Sequence, residues 1–188
     1  MISFLQEEYQ PSRFFHKPKR DTQVARIRPY KSTDWPAVER ITQEGIDTGV
    51  ATFEIKPKSQ EKWEEESIPG TQLVAAEEDG VVHGWALLWP VSDRCAYTGV
   101  SEVSVYVSKN AQGRGIGKLL LNAVIKKSEE IGIWTIQAGI FEDNPSSIAL
   151  HLSCGFRLIG VRERIGKLRG IWKNSQQYER RSSVVGIE

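Results

Sequence analysis

The chain has little cysteine and little histidine. Its two cysteines, Cys95 and Cys154, cannot build a disulfide framework, and neither belongs to a Cys-x-x-Cys pair. The three histidines, His16, His83 and His151, lie far apart, so no zinc spacing exists and no metal is expected. Apolar runs are short as well. The longest, Trp85–Val91, is broken by Pro90 and falls well below the ~20 residues of a membrane span. The first ten residues carry acids early and no apolar core behind a basic start, unlike a secretory signal. Nor does either sign of charge dominate: 25 Lys and Arg face 24 Asp and Glu, a net charge of +1. That balance disfavours bulk attraction to nucleic acid. These absences point to a cytoplasmic protein with neither nucleic acid nor membrane as partner.

What is present is ordinary globular composition. Hydrophobic residues make up 39 % and charged residues 26 % of 188, which argues against wholesale disorder. A chain of this length buries about 70 % of its unfolded surface without a staple. Residues 1–24 read as an N-terminal extension, polar, with Arg13, Lys17, Lys19 and Arg20 around Phe14-Phe15. A single domain spans 25–182, and 183–188 form a short tail.

Within the domain, Ala25–Pro29 reads as a strand, and Thr33-Asp34-Trp35-Pro36 as a helix start with an Asx-type cap and proline in the first turn. That helix turns Val38, Ile41 and Ile46 inward. Ser59 opens a second helix, Gln60–Ser67. Thr71–Glu78 and Val81–Trp89 form a hairpin about Glu-Asp-Gly, and Val100–Val107 extends it. Gly115–Gly132 repeats apolar residues at helical spacing. Trp134–Ile140 is a strand, Pro145–Ser153 a helix, Phe156–Val161 a strand, and Gln176–Arg180 an added edge strand. The order β-α-α-β-β-β-α-β-α-β-β predicts an α/β fold with one central mixed sheet.

The chemistry concentrates in two stretches. A strand, Glu102-Val103-Ser104-Val105-Tyr106-Val107, runs into the loop Gln112-Gly113-Arg114-Gly115-Ile116-Gly117-Lys118 and then a helix. Glycines let the backbone approach an anion, and the uncapped N–H groups and positive end of the helix supply donors and field. Arg114 and Lys118 can add charge. A Walker loop would need Ser or Thr after Gly-Lys, where Leu119 stands. A dinucleotide fingerprint would need one more residue between its last glycines. In the second stretch Asn144, Ser147 and His151 sit at offsets of three and seven, within one arc of a helix.

The first stretch resembles the acetyl-CoA pyrophosphate loop of the GNAT N-acetyltransferase superfamily. Asn144-Pro145-Ser146-Ser147 with Cys154-Gly155-Phe156 resembles that family's pantetheine-contacting element. Further likeness narrows the group. Ala51-Thr52-Phe53-Glu54, Pro57 and Trp63, then Arg94-x-Ala96-Tyr97, Ser101-Glu102, and Gly166, Gly170 and Trp172 are similar to phosphinothricin and methionine sulfoximine or sulfone acetyltransferases. The likeness covers roughly residues 25–180. It implies a mostly antiparallel twisted sheet flanked by helices on both faces, acetyl-CoA as acyl donor, a small amine as acceptor, and a homodimer.

The resemblance implies roles residue by residue. Glu102 matches the proposed general base. Strand alternation groups Glu102, Ser104 and Tyr106 on one face and Val103, Val105 and Val107 on the other. Val105, Tyr106, Val107, residues 112–118, Asn144 and Ser147 are expected to hold the cofactor. His151 matches a position thought to protonate the departing thiolate, and its part as acid, base or scaffold stays open. Phe53, Glu54, Arg94, Tyr97 and Ser104 are expected at the substrate, with Arg94 the partner for an anionic group. Two other readings compete: a non-catalytic acyl-CoA sensor, and an enzyme acetylating a peptide or protein N-terminus.

Overall fold

The computed structural model describes residues 25–187; the N-terminal extension and its basic cluster lie outside them. Among the described residues seven strands build one sheet: β1 (Arg26–Pro29), β2 (Leu73–Ala76), β3 (Val82–Pro90), β4 (Val100–Val107), β5 (Thr135–Phe141), β6 (Arg157–Leu168) and β7 (Ile171–Arg181). Four α-helices, α1 (Trp35–Asp47), α2 (Gln60–Glu66), α3 (Ile116–Glu130) and α4 (Pro145–Ser153), complete the element order expected from the sequence. The strands lie in the order β1-β2-β3-β4-β5-β7-β6. Every neighbouring pair is antiparallel except β4 and β5.

Alternation along the strands feeds two apolar layers. On one face Val103, Ile136, Ala138 and Ile140 pack with Leu120, Leu121 and Val124 of α3. On the other, Val74, Trp85 and Leu87 meet Val38 and Ile41 of α1 and Trp63 of α2. Burying each such side chain contributes about 1.5–3 kcal/mol, so the sheet is clamped from both sides. The aromatic layer is tight, with Trp85 stacked on Tyr106 at 4.7 Å between ring centroids.

Two sequence expectations need correction. The strand at Gln176–Arg180 is not an edge: β7 runs from Ile171 to Arg181 between β5 and β6, and β6 forms the edge. A long hairpin folds the chain back, so the last strand is inserted inside the sheet rather than added outside it. Asp34 does not cap α1 with its side chain. Its carboxylate instead accepts from Arg28 at 2.6 and 2.8 Å and from the Lys31 N–H at 2.8 Å, tying β1 to the turn before the helix. Among the described residues no helix is long and apolar enough to cross a membrane.

The sheet has one discontinuity. β4 pairs with β3 from Ser101 to Val107, and β5 pairs with β7 along its whole length. β4 and β5 pair with each other only at Val100–Thr135, Ser101–Ile136 and Glu102–Gln137. Beyond Glu102 they splay apart. The Ser108 N–H donates to His83 of β3, so the even residues of β4 direct their main-chain groups to β3. The N–H and C=O groups of Val103, Val105 and Val107 therefore face the gap.

Candidate active site

A cleft of about 1000 Å³ occupies this gap, running from the Gln112–Lys118 loop past β4 to Glu102. At one end lies the loop. Gly113 and Gly115 hold φ of +74° and +79°, a left-handed conformation that side chains resist, and nothing stands within 4 Å of where a Cβ would be. Gly115 caps α3 without any side-chain bond. The first-turn amides of Ile116, Gly117 and Lys118 are thus left for an outside acceptor. Gln112 and Lys118 line the cleft. Arg114 does not; its guanidinium pairs with Glu77 at 3.2 Å, and Glu77 also holds His83 at 2.8 Å.

Along the side, α4 presents Asn144, Ser147 and His151 to the cleft. The Asn144 carbonyl accepts from the Ser147 N–H at 3.1 Å, capping the helix, while its amide donates to the Val50 carbonyl at 3.1 Å. It thereby ties α4 to the loop after α1. His151 is only 3 % exposed, and Phe156 meets its ring edge-on at 5.0 Å. Its Nδ1 lies 2.8 Å from the Ser147 carbonyl, which can only accept, so Nδ1 carries the proton. Burial pulls the ring's pKa below 6.5, the Ser147 bond opposing it only in part. Its Nε2 is buried without a partner among the described residues.

Glu102 marks the other end, where strand pairing stops. Solvent reaches it through the open cleft, yet enough protein surrounds it that desolvation raises its pKa above the ordinary carboxylate value; the charge of Arg162 offsets part of this. Phe53 crosses the cleft to meet Phe141 edge-on at 4.6 Å. A Cβ at Gly166 would come within 2.8 Å of the Phe53 ring, so glycine is what lets the two lie together. Ser104 accepts from the Trp89 indole N–H at 2.9 Å. Thr52, Ser104 and Tyr106 separate the cleft from a second cavity of about 170 Å³, walled by Trp35, Trp63, Trp85 and Trp89. Burial lifts the Tyr106 hydroxyl to about 12, so it stays protonated.

Three expected substrate residues lie away from the cleft. Glu54 faces the aromatic cavity instead. Arg94 and Tyr97 are exposed at the short turn between β3 and β4, with the guanidinium 5.8 Å over the tyrosine ring, and line neither cavity.

Comparison with known proteins places this arrangement. Residues 35–156 match the acetyltransferase (GNAT) family. The chain belongs to that family. It is 32 % identical over 152 residues to a phosphinothricin N-acetyltransferase of Alcaligenes faecalis, covering 78 % of this chain and 77 % of the relative. It is 36 % identical over 112 residues to an L-methionine sulfoximine/L-methionine sulfone acetyltransferase of Salmonella typhimurium, covering 58 % and 64 %. The structure of a GNAT phosphinothricin acetyltransferase from Sinorhizobium meliloti in complex with AcCoA superimposes with a TM-score of 0.79 at 32 % identity, over 88 % of this chain and 92 % of that one. The chain is therefore a GNAT-fold N-acetyltransferase whose acyl donor is acetyl-CoA.

Within this GNAT cleft, sequence reasoning missed Gly139, Arg162, Ser175 and Gln177, all of which line it. One signal was available. A glycine in the interior of a strand often marks close approach of a ligand, and Gly139 is such a residue. The other three come from the β6–β7 hairpin, whose register shifts twice, between Leu158 and Gly160 and between Arg162 and Gly166. Alternation alone could not align them.

Proposed function

We propose that this enzyme moves the acetyl group of acetyl-CoA directly to the primary amine of a small amino-acid-like acceptor, of the phosphinothricin or methionine sulfoximine/sulfone type, with Glu102 as general base. The observation that carries this reading is the position of Glu102: a partly desolvated carboxylate where β4 and β5 part, at the opposite end of the cleft from the Gln112–Lys118 loop. An alkyl ammonium with a pKa near ~10 is almost wholly protonated at neutral pH, so taking its proton is part of the barrier. A carboxylate with a raised pKa is the better acceptor for that proton.

Acetyl-CoA supplies an electrophilic thioester carbonyl. The residues 113–118 hold its diphosphate with main-chain amides, and Asn144 and Ser147 flank its arm. The gap-facing N–H and C=O groups of Val105 and Val107 pair with the pantetheine amides, and one of the N–H groups donates to the oxygen that becomes negative as the amine attacks. Glu102, directly or through one water, takes a proton from the ammonium and frees the nitrogen's lone pair; the neutral amine bonds to the carbonyl carbon, the carbon–sulfur bond breaks, and the second N–H proton passes to the departing thiolate, which leaves as the free thiol. His151, neutral and protonated on Nδ1, offers a lone pair at Nε2, so it accepts a proton rather than supplying one to that thiolate.

The test is release of free thiol from acetyl-CoA with phosphinothricin, methionine sulfoximine, methionine sulfone and a broad amine panel. Turnover on at least one small amine is expected, and Glu102→Gln should cut kcat by about 10²–10⁴-fold while CoA affinity by calorimetry stays within twofold. Failure on the whole panel, or full activity of the variant, refutes the reading.

We also propose a homodimer formed along the outer hairpin. Leu158, Ile159, Val161 and Ile165 of the edge strand and Ile171 and Trp172 of β7 are exposed, an apolar surface that a second copy would cover. Sedimentation at a monomer mass would refute it.

A further inference from the structure

The half of the sheet beyond β4 carries a polar row on the face that bears Glu102. Register creates it. Gln137, Gly139 and Phe141 of β5 lie beside Glu179, Gln177 and Ser175 of β7. Gln177 and Ser175 lie in turn beside Gly160 and Arg162 of β6. Gly139 lacks a side chain in the middle of this row. A Cβ there would sit 3.2 Å from Gln177 Nε2, 3.4 Å from Ser175 Oγ and 3.9 Å from Glu102 Oε1. Polar groups from two strands, β4 and β7, thus ring one hollow over a third.

The ring has a donor side and a base side. Gln177 donates one amide hydrogen to Ser175 Oγ at 3.1 Å, which fixes the amide and leaves its second hydrogen for a ligand. Arg162, beside Ser175 in register, lines the same cleft, and its guanidinium makes no hydrogen bond or ion pair with another described residue. Its charge bears on Glu102, in the direction opposite to burial. A cation that depresses the pKa of the base is a handicap unless something neutralises it. An acceptor carrying its own carboxylate next to the amine would do so, and only while the amine is seated.

We propose that Arg162, assisted by Gln177, binds the carboxylate of an α-amino-acid acceptor over Gly139, with the acceptor's amine turned to Glu102, and so selects amino acids over simple amines. This rests on the acetyl-transfer reading above. The guanidinium fork suits a carboxylate, and the hollow brings the amine and the base together within one residue's span. Arg94 is exposed and lines neither cavity of the chain.

The experiment compares methionine sulfone with 3-(methylsulfonyl)propan-1-amine, the same molecule without its carboxylate. The unaltered enzyme should favour the amino acid by about 10- to 100-fold in kcat/KM, the worth of hydrogen bonds to a charged group. Arg162→Gln should erase most of that preference through KM of the amino acid, and Arg162→Lys should restore part of it. With the carboxylate-free amine, Arg162→Gln should move the acidic limb of the pH–rate profile upward, because the charge that depresses Glu102 is gone. Gly139→Ala fills the hollow and should raise KM for the amino acid, with CoA binding as the control for folding. Equal losses on both substrates, or a preference that survives Arg162→Gln, overturns the proposal while leaving acetyl transfer intact. No turnover of any amine by the unaltered enzyme overturns both.

Discussion

Two glycines separate the cost of backbone strain from the loss of a phosphate contact. Gly115 opens α3 at φ +79°, and Gly132 follows its other end at φ +84°; neither has an atom within 4 Å of a built Cβ. Alanine is sterically free at both but forced into the left-handed region, which costs roughly 1–2 kcal/mol. The less flexible unfolded chain returns about 0.4–1 kcal/mol. The net is about 1 kcal/mol at each site, or a drop of about 2–4 °C in Tm for a chain of this size. The two variants should part company in CoA binding. At Gly115 the new methyl enters the open space that we propose the phosphate oxygens occupy beside the helix amides. Loss of one hydrogen bond to a charged group is worth about 1.5–3 kcal/mol, roughly a 10- to 100-fold weaker Kd. Gly132→Ala should bind as the parent does. Thermal unfolding and calorimetry with CoA measure both quantities. If Gly115→Ala binds CoA unimpaired, the loop is not the diphosphate cradle; if Gly132→Ala loses as much, the effect is global strain.

The titrating groups give two more expectations. Burial raises the Glu102 pKa above its unfolded value of 4.5, so its contribution to stability is full below that pH and is lost as pH rises through the folded value. Glu102→Gln should therefore raise Tm at pH 7, with the gain disappearing toward pH 4 in a thermal-melt series; a constant gain would contradict this. His151 has the opposite sign. Its folded pKa lies below 6.5, so stability is full above 6.5 and declines as pH falls through the window beneath it, and His151→Gln should flatten Tm between pH 7 and 5. Packing gives the last. Gly84→Ala would bring a Cβ within 2.7 Å of the Tyr106 carbonyl and 2.9 Å of Leu120 between β3, β4 and α3, and overpacking of this kind should lower the urea unfolding energy by about 1–3 kcal/mol.

The sequence made the β4, loop and α4 walls of the cleft legible and the β6–β7 wall less so, for a physical reason. Residues 102–118 and 144–151 are continuous segments whose geometry is local: strand alternation, a glycine turn, a helix start, an offset of seven on a helix. Each can be read without knowing what lies beside it. Arg162, Ser175 and Gln177 meet Glu102 only through pairing between strands remote in the chain, and two irregularities in the β6–β7 ladder hide which residues share a face. The same dependence explains Arg94 and Glu54. The family resemblance pointed to them, while tertiary packing set one on an exposed turn and the other against the tryptophan-lined cavity.

The β4 strand shows why so few residues suffice for two tasks. A strand has two alternations, of side chains between faces and of main-chain groups between edges. Along β4 the even side chains meet the α1 face, where Glu102, Ser104 and Tyr106 stand, and the odd main-chain groups meet the gap opened by β5. The proposed base and the proposed donors thus come from neighbouring residues without competing for space. A slip of one residue in the β3–β4 register would undo both at once, turning Glu102 toward the apolar layer around Val103 and the donors of Val105 and Val107 into the β3 ladder. Register is held by the burial it secures. Trp85 opposite Tyr106, Ala86 opposite Val105 and Leu88 opposite Val103 each lie in an apolar layer, and a slip would expose or bury the wrong member of every pair. The packing that stabilises the sheet is therefore the same packing that aims the chemistry.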